Sequence, residues 1–216
     1  MLGRAATVEA LLRARVVPVL RLGSAADLQF AVEALIEAGA QTVEVTLTTP
    51  GAIEVIAQLR ISTPPSFVIG AGTVLDLDTA AAVIKAGADY LVSPFAFEAM
   101  VRVAHAADRA ALPAGFTPTE VLACHRAQAD IVKVFPAGSA GPAHLAALKS
   151  VFPFIKLCPT GGVSASNAAE YLRAGASIVG MGNNIIDARA LAGRDRAAVV
   201  AHARRVFESV REAVIR

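Results

Sequence analysis

Four stretches of this 216-residue chain repeat one theme, and the repeat limits the folds open to it. They are EAGAQTVEV at 37–45, KAGADYLVS at 85–93, RAQADIVKV at 126–134 and RAGASIVGM at 173–181. Each begins as the charged last turn of a helix, breaks at Gly or Gln followed by Ala, and runs on into an apolar, β-branched stretch. Glycine closes a helix because it accepts the left-handed conformation that the C-terminal turn needs. The stretch behind it has the length and composition of a buried strand. Lys or Arg suits the negative pole of the helix, and Glu37 alone has the wrong sign there.

Four further apolar runs fall between the repeats: VVPVLRL at 16–22, SFVIGAGTV at 66–74, ALPAGF at 111–116 and FIKLCPTGGV at 154–163. The two sets interleave as eight strands. Segments 24–38, 79–86, 97–107 and 166–174 have helical spacing and composition. Residues 5–14 predict a short helix ahead of the first strand, and 188–216 predict the eighth helix. Strands alternating with helices imply a parallel sheet. Eight such units predict an α/β fold, a (β/α)8 TIM barrel at the compact end of its size range. The expectation is a single domain over 1–216 with a short N-terminal helix. A two-unit module recurring four times favours closure, and the open doubly wound sheet is the alternative.

Composition narrows the function classes. Apolar residues make up 55% of the chain, yet no stretch reaches the ~18 uninterrupted apolar residues of a membrane helix. The first 19 residues lack the long apolar core of a secretory signal and contain Arg13 and Arg15, so a cytoplasmic protein is expected. Twenty basic and eighteen acidic residues nearly cancel, with two Tyr and no Trp, which argues against nucleic-acid binding. Cys124 and Cys158 are too far apart in sequence for a CxxC motif, and reduced thiols fit the same compartment.

In a barrel, catalytic groups sit at the carboxyl ends of strands. In TVEVTL, Thr42, Glu44 and Thr46 share one face and Val43, Val45 and Leu47 the other, which points Glu44 into the barrel mouth. A carboxylate buried there needs a partner or a task. The chain has four Lys against sixteen Arg. Lys85 and Lys149 fall in last helical turns and Lys156 early in its strand, but Lys133 sits late in its strand between two valines. A desolvated lysine loses its proton more readily, and the neutral amine is the nucleophile. An inert buried Lys133–Glu44 ion pair is the plain alternative. Gly70, Gly72 and Thr73 end the third strand. Thr160, Gly161 and Gly162 follow the seventh, and Gly182 and Asn183 the eighth. Glycine loops at those two strands are a common phosphate site in barrels. Arg21 ends the first strand and could clamp a carboxylate. His105, His125, His144 and His202 lie in helical segments without metal-ligand spacing.

The segments VEVTLTTP, VIGAGTVLD, VSPF, TPTE, VKVFPA and CPTGGV, in this order, resemble the class I aldolases that cleave 2-keto-3-deoxy-6-phosphogluconate and 4-hydroxy-2-oxoglutarate. The resemblance implies a barrel, usually a homotrimer, acting without metal or cofactor through a covalent Schiff base. It implies Lys133 as the Schiff-base lysine, Glu44 as general acid/base and Thr73 against the pyruvate part of a small 2-keto acid. It further implies Gly161 and Gly162 as phosphate binders and Pro94 and Phe135 as pocket wall. Three positions depart from the pattern. Thr48 stands where the family has a carboxylate-binding Arg, Asn183 where Ser is usual, and Ala114–Gly115 where Pro-Gly is usual. A hydroxyl cannot replace a bidentate guanidinium, so Arg21 becomes the substitute clamp. The relative acting on the galactonate epimer also lacks that Arg. Two other readings remain: another phosphate-binding barrel enzyme, and a non-catalytic sugar-acid binding protein. No nucleic-acid or membrane partner is expected.

Overall fold

The computed structural model describes residues 1–215, with side chains to 212. Nine strand segments carry the fold: β1 (Val16–Leu20), β2 (Thr42–Thr46), β3 (Val68–Gly72), β4 (Tyr90–Val92), β5 (Ala110–Leu112), β6 (Ala114–Gly115), β7 (Val132–Val134), β8 (Leu157–Pro159) and β9 (Val179–Met181). Around them lie α1 (Arg4–Ala14), α2 (Ala25–Glu37), α3 (Ala52–Ser62), α4 (Leu77–Ala86), α5 (Glu98–Ala106), α6 (Pro118–Arg126), α7 (Gly141–Val151), α8 (Ala168–Arg173), α9 (Ala188–Ala192) and α10 (Arg196–Ile215).

The repeated turn explains how four of these helices hand over to strands. Gly39, Gly87, Gln128 and Gly175 occupy its break, with φ of 98°, 100°, 68° and 103°. The alanine after each donates its N–H back to a carbonyl of the last helical turn, at 2.9 Å (Ala40 to Leu35), 3.0 Å (Ala88 to Val83), 3.1 Å (Ala129 to Cys124) and 3.0 Å (Ala176 to Tyr171). This closes the helix with its end carbonyls satisfied. Gln128 holds the conformation without glycine's freedom, at a cost of roughly 1–2 kcal/mol. At the opposite helix ends, Ser24 accepts from the Asp27 amide, Asp76 from the Thr79 amide, and Thr117 and Glu120 form a reciprocal cap.

All strand pairings are parallel. The order is β5-β4-β3-β2-β1-β9 in one sheet and β6-β7-β8 in the other. The expected fifth strand, 111–116, is therefore divided. Pro113 lacks the N–H that a continuous ladder would use, so β5 pairs with β4 on one side and β6 with β7 on the other. One bridge joins Thr160, just past the end of β8, to Gly180 within β9. The result is an α/β fold on a curled parallel sheet.

The sheet faces two cores. Val43, Val45, Ile69, Ala71, Leu91, Val132, Val134 and Val179 join the layer beneath the helices. Val17, Val68, Tyr90, Val92, Leu112, Ile131, Cys158 and Ile178 fill the space enclosed by the curl, and Ala10 and Leu11 of α1 pack among them. The N-terminal helix thus stoppers the amino end of the sheet. The tail differs from expectation: 188–216 is not one helix but α9 and α10, separated by a turn in which Arg194 has φ 54°. Residue 216 lies outside the described residues. No described helix is long and apolar enough to cross a membrane.

Candidate active site

The alternation that sends Val43 and Val45 to the helices turns Glu44 inward, and the same alternation on β7 turns Lys133 inward between Val132 and Val134. Though 89 residues apart, they meet: Lys133 Nζ lies 3.4 Å from Glu44 Oε1, with side chains 8% and 5% exposed. The ammonium also sits 5.5 Å from the centre of the Phe135 ring.

Glycines on neighbouring strands make room for these polar groups. A Cβ at Gly72 would stand 2.1 Å from Glu44 Oε1, one at Gly70 2.1 Å from the Tyr90 ring, and one at Gly180 2.3 Å from Thr160 Oγ1. Tyr90 donates to the Val43 carbonyl at 3.0 Å. Burial, and then the nearby Glu44 charge, push its phenol well above the usual range. Burial also raises the Cys158 thiol to about 11. Both stay uncharged at neutral pH beneath the lysine–glutamate pair.

Above the pair opens a cavity of about 560 Å³ at the carboxyl ends of the strands. Of the residues singled out in the sequence, Arg21, Glu44, Thr73, Pro94, Lys133, Phe135, Thr160, Gly161, Gly162, Gly182 and Asn183 line it. Thr73 holds φ 64°, an unusual conformation for a β-branched residue. Gly161 and Gly162 have φ of 83° and 82°. The Ala137 and Gly138 amides donate to the carbonyls of Thr160 and Gly161 at 2.9 and 2.7 Å, which ties this loop to the turn after β7.

Two expected residues are placed differently. Thr48 is exposed and is not among the cavity-lining residues; its hydroxyl lies 3.2 Å from that of Thr46. The alternation of β2 has ended before it, in the turn that follows. Asn183 reaches the cavity, but its side-chain amide accepts from the Arg21 amide at 3.0 Å and donates to the Arg21 carbonyl. It joins the loops after β1 and β9 and is already committed to backbone. The Arg21 guanidinium has no partner among the described residues. Val19, Thr46, Val163 and Asn184 also line the cavity. Thr46 and Val19 could have been read from the inward faces of β2 and β1, whereas Val163 and Asn184 carry no comparable signal.

Lys149 donates to the carbonyls of Pro153 and Ile155, and Lys156 is exposed just before β8. The histidines find ordinary partners: His105 contacts Asp130 at 3.0 Å, His144 the Phe116 carbonyl at 2.8 Å, His202 the Asn184 carbonyl at 3.2 Å, and His125 packs on Phe154.

An amine and a carboxylate meeting at the carboxyl end of a curled parallel sheet is an arrangement that a carbon–carbon lyase of the aldolase type can use, and the similar proteins are of that class. A family model described as KDPG and KHG aldolase matches residues 8–202, and the chain belongs to that family. It is 39% identical over 171 residues to a 2-dehydro-3-deoxy-phosphogluconate aldolase of Pseudomonas aeruginosa, covering 78% of this chain and 77% of that one. It is 35% identical over 155 residues to a probable 2-dehydro-3-deoxy-6-phosphogalactonate aldolase of Rhizobium meliloti, covering 71% and 73%. A solved structure of KDPG aldolase from Legionella pneumophila, with pyruvate captured as a covalent carbinolamine, superposes with a TM-score of 0.84 at 29% identity, covering 93% and 97%.

Proposed function

We propose that this chain is a class I aldolase that cleaves 2-keto-3-deoxy-6-phosphogluconate, or a closely similar 2-keto-3-deoxy acid, to pyruvate and an aldehyde. The 3.4 Å contact between Lys133 and Glu44 carries the reading. A nucleophilic amine must first lose a proton, and Glu44 Oε1 is within reach to take it. Nζ then adds to the keto carbon. Water leaves with a proton returned by Glu44, and an iminium remains. The bond between carbons 3 and 4 breaks, its electron pair drawn into the iminium, while Glu44 takes the proton of the carbon-4 hydroxyl and the aldehyde departs. The enamine is protonated at carbon 3, and water hydrolyses the iminium to free pyruvate and Lys133. Thr73, Pro94 and Phe135 bound the pyruvyl half, and Thr160, Gly161, Gly162 and Gly182 receive the far end.

The scaffold in this reading is a closed (β/α)8 barrel in one domain, with β5 and β6 as two halves of one stave; the Thr160–Gly180 bridge supports closure. A homotrimer and the lack of a cofactor rest on the family resemblance, and a cytoplasmic setting fits the free thiols of Cys124 and Cys158. Treatment with pyruvate and borohydride is expected to add one reduced pyruvyl mass, located by peptide mass spectrometry at Lys133. An adduct on another lysine would overturn the assignment.

Arg21 is the carboxylate clamp in place of the Arg that Thr48 replaces, since its guanidinium has no partner among the described residues and borders the cavity. Arg21→Ala is expected to raise KM for the keto acid about tenfold with kcat little changed, because an interaction made equally in ground and transition states is lost. Steady-state kinetics check this, and an unchanged KM would remove Arg21 from substrate binding.

A further inference from the structure

A second cavity, of about 430 Å³, opens at the opposite end of the sheet from the mouth. It lies between the end of α1, the start of β1, the turn from α2 into β2, and α10. Arg13 and Arg15 line it from the end of α1 and Arg211 from α10, while Val16, Phe207 and Val210 supply an apolar wall. Among the described residues no Asp or Glu lines it. Arg13 approaches Glu9 at only 3.7 Å, with both side chains about two-thirds exposed or more, so that pair holds it weakly. The guanidiniums of Arg15 and Arg211 have no hydrogen-bonding or ionic partner among the described residues.

Helix carbonyl ends meet here, and each is equivalent to about half a negative charge. Even three such ends would offset only about half of the three guanidinium charges. Arg15 also occupies φ 59°, a conformation that favours glycine, yet an arginine stands there. The site therefore gathers excess positive charge around a concave, partly apolar wall, with the weak Arg13–Glu9 contact as the only acidic pairing of these three arginines among the described residues.

We propose that this cavity binds a small organic polyanion, a compact carbon frame bearing two or more carboxylate or phosphoryl groups, at a place separate from the substrate mouth. Guanidiniums take such groups through paired N–H donors, and the volume is that of a small-molecule site. The bound anion would link α1, β1 and α10, so occupancy raises Tm by mass action.

The test uses citrate and pyrophosphate, one for each kind of anionic group, at constant ionic strength so that screening is the same throughout. Calorimetry on the wild-type protein should show one site per chain for at least one of them. Hydrogen exchange should slow at residues 13–16 and 207–211. Arg15→Gly, which suits the backbone there, and Arg211→Ala should each weaken binding about tenfold or more and leave aldol cleavage unchanged. Binding that both substitutions leave intact overturns the proposal, as does protection at 160–163 instead, which would put the anion in the mouth. Failure of both anions to bind at about 10 mM overturns it too. These outcomes do not depend on Lys133 chemistry, so the two readings stand or fall separately.

Discussion

Lys133→Ala is expected to lower kcat for aldol cleavage by about 10⁴-fold or more. In the proposed mechanism the amine supplies both the covalent link and the electron sink, and no other lysine borders the cavity. Glu44 alone could still pass protons, which by itself is worth about 10²- to 10⁴-fold in typical enzymes, but the bond between carbons 3 and 4 would lack a place to send its electrons. Removing the cation also leaves Glu44 without its partner, so lost activity could reflect a damaged fold. Lys133→Arg separates the two effects: it keeps a positive charge beside Glu44 but cannot form the iminium. It should melt near the wild-type Tm, be as inactive as the alanine variant and take up no pyruvate under borohydride. Cleavage within tenfold of wild type in either variant would end the Schiff-base reading.

Gly72→Ala should cost about 10²- to 10⁴-fold in kcat, the range associated with losing a positioned acid/base. The added methyl would lie 2.1 Å from Glu44 Oε1 and 2.8 Å from its Cγ and Cδ, so the carboxylate must leave its place against Lys133. Gly72 does not rely on positive φ, and the backbone itself tolerates alanine there. Lys133 should therefore still be trapped by pyruvate and borohydride, more slowly than in the wild type. Pairing Gly72→Ala with Glu44→Asp shortens the acid by one methylene and should recover part of the rate. Gly70→Ala makes the contrast, because its methyl would meet the buried Tyr90 ring at 2.1 Å and should lower Tm rather than act on the proton transfer alone. Wild-type kcat in Gly72→Ala would mean that the seat of Glu44 does not matter.

Much of this arrangement could be read before any coordinates, because two periodicities carry it. The turn recurring at Gly39, Gly87, Gln128 and Gly175 marks four helix-to-strand junctions, and the two-residue alternation of TVEVT and VKV assigns Glu44 and Lys133 to the same interior. What was not legible depends on tertiary contact. Pro113 marks a break in the ladder, but which neighbour each half then joins is settled by contacts distant along the chain. The periodicity that places Glu44 stops in the following turn, which is why Thr48 faces outward. Asn183 looks available to a ligand in sequence, but a backbone 162 residues away takes its amide. The reason for Gly70, Gly72 and Gly180 lies on adjacent strands and is invisible along the chain.

The stopper made by Ala10 and Leu11 has a kinetic consequence. With the amino end filled, a pyruvyl group held on Lys133, as proposed, would lie on the floor of a cavity entered from the carboxyl ends of the strands. The aldehyde, nearer the rim, must clear the opening before the hydrolytic water can reach the floor. Under that mechanism the products of cleavage would leave in a set sequence, aldehyde first and pyruvate last, and the reverse reaction would load them in the opposite order.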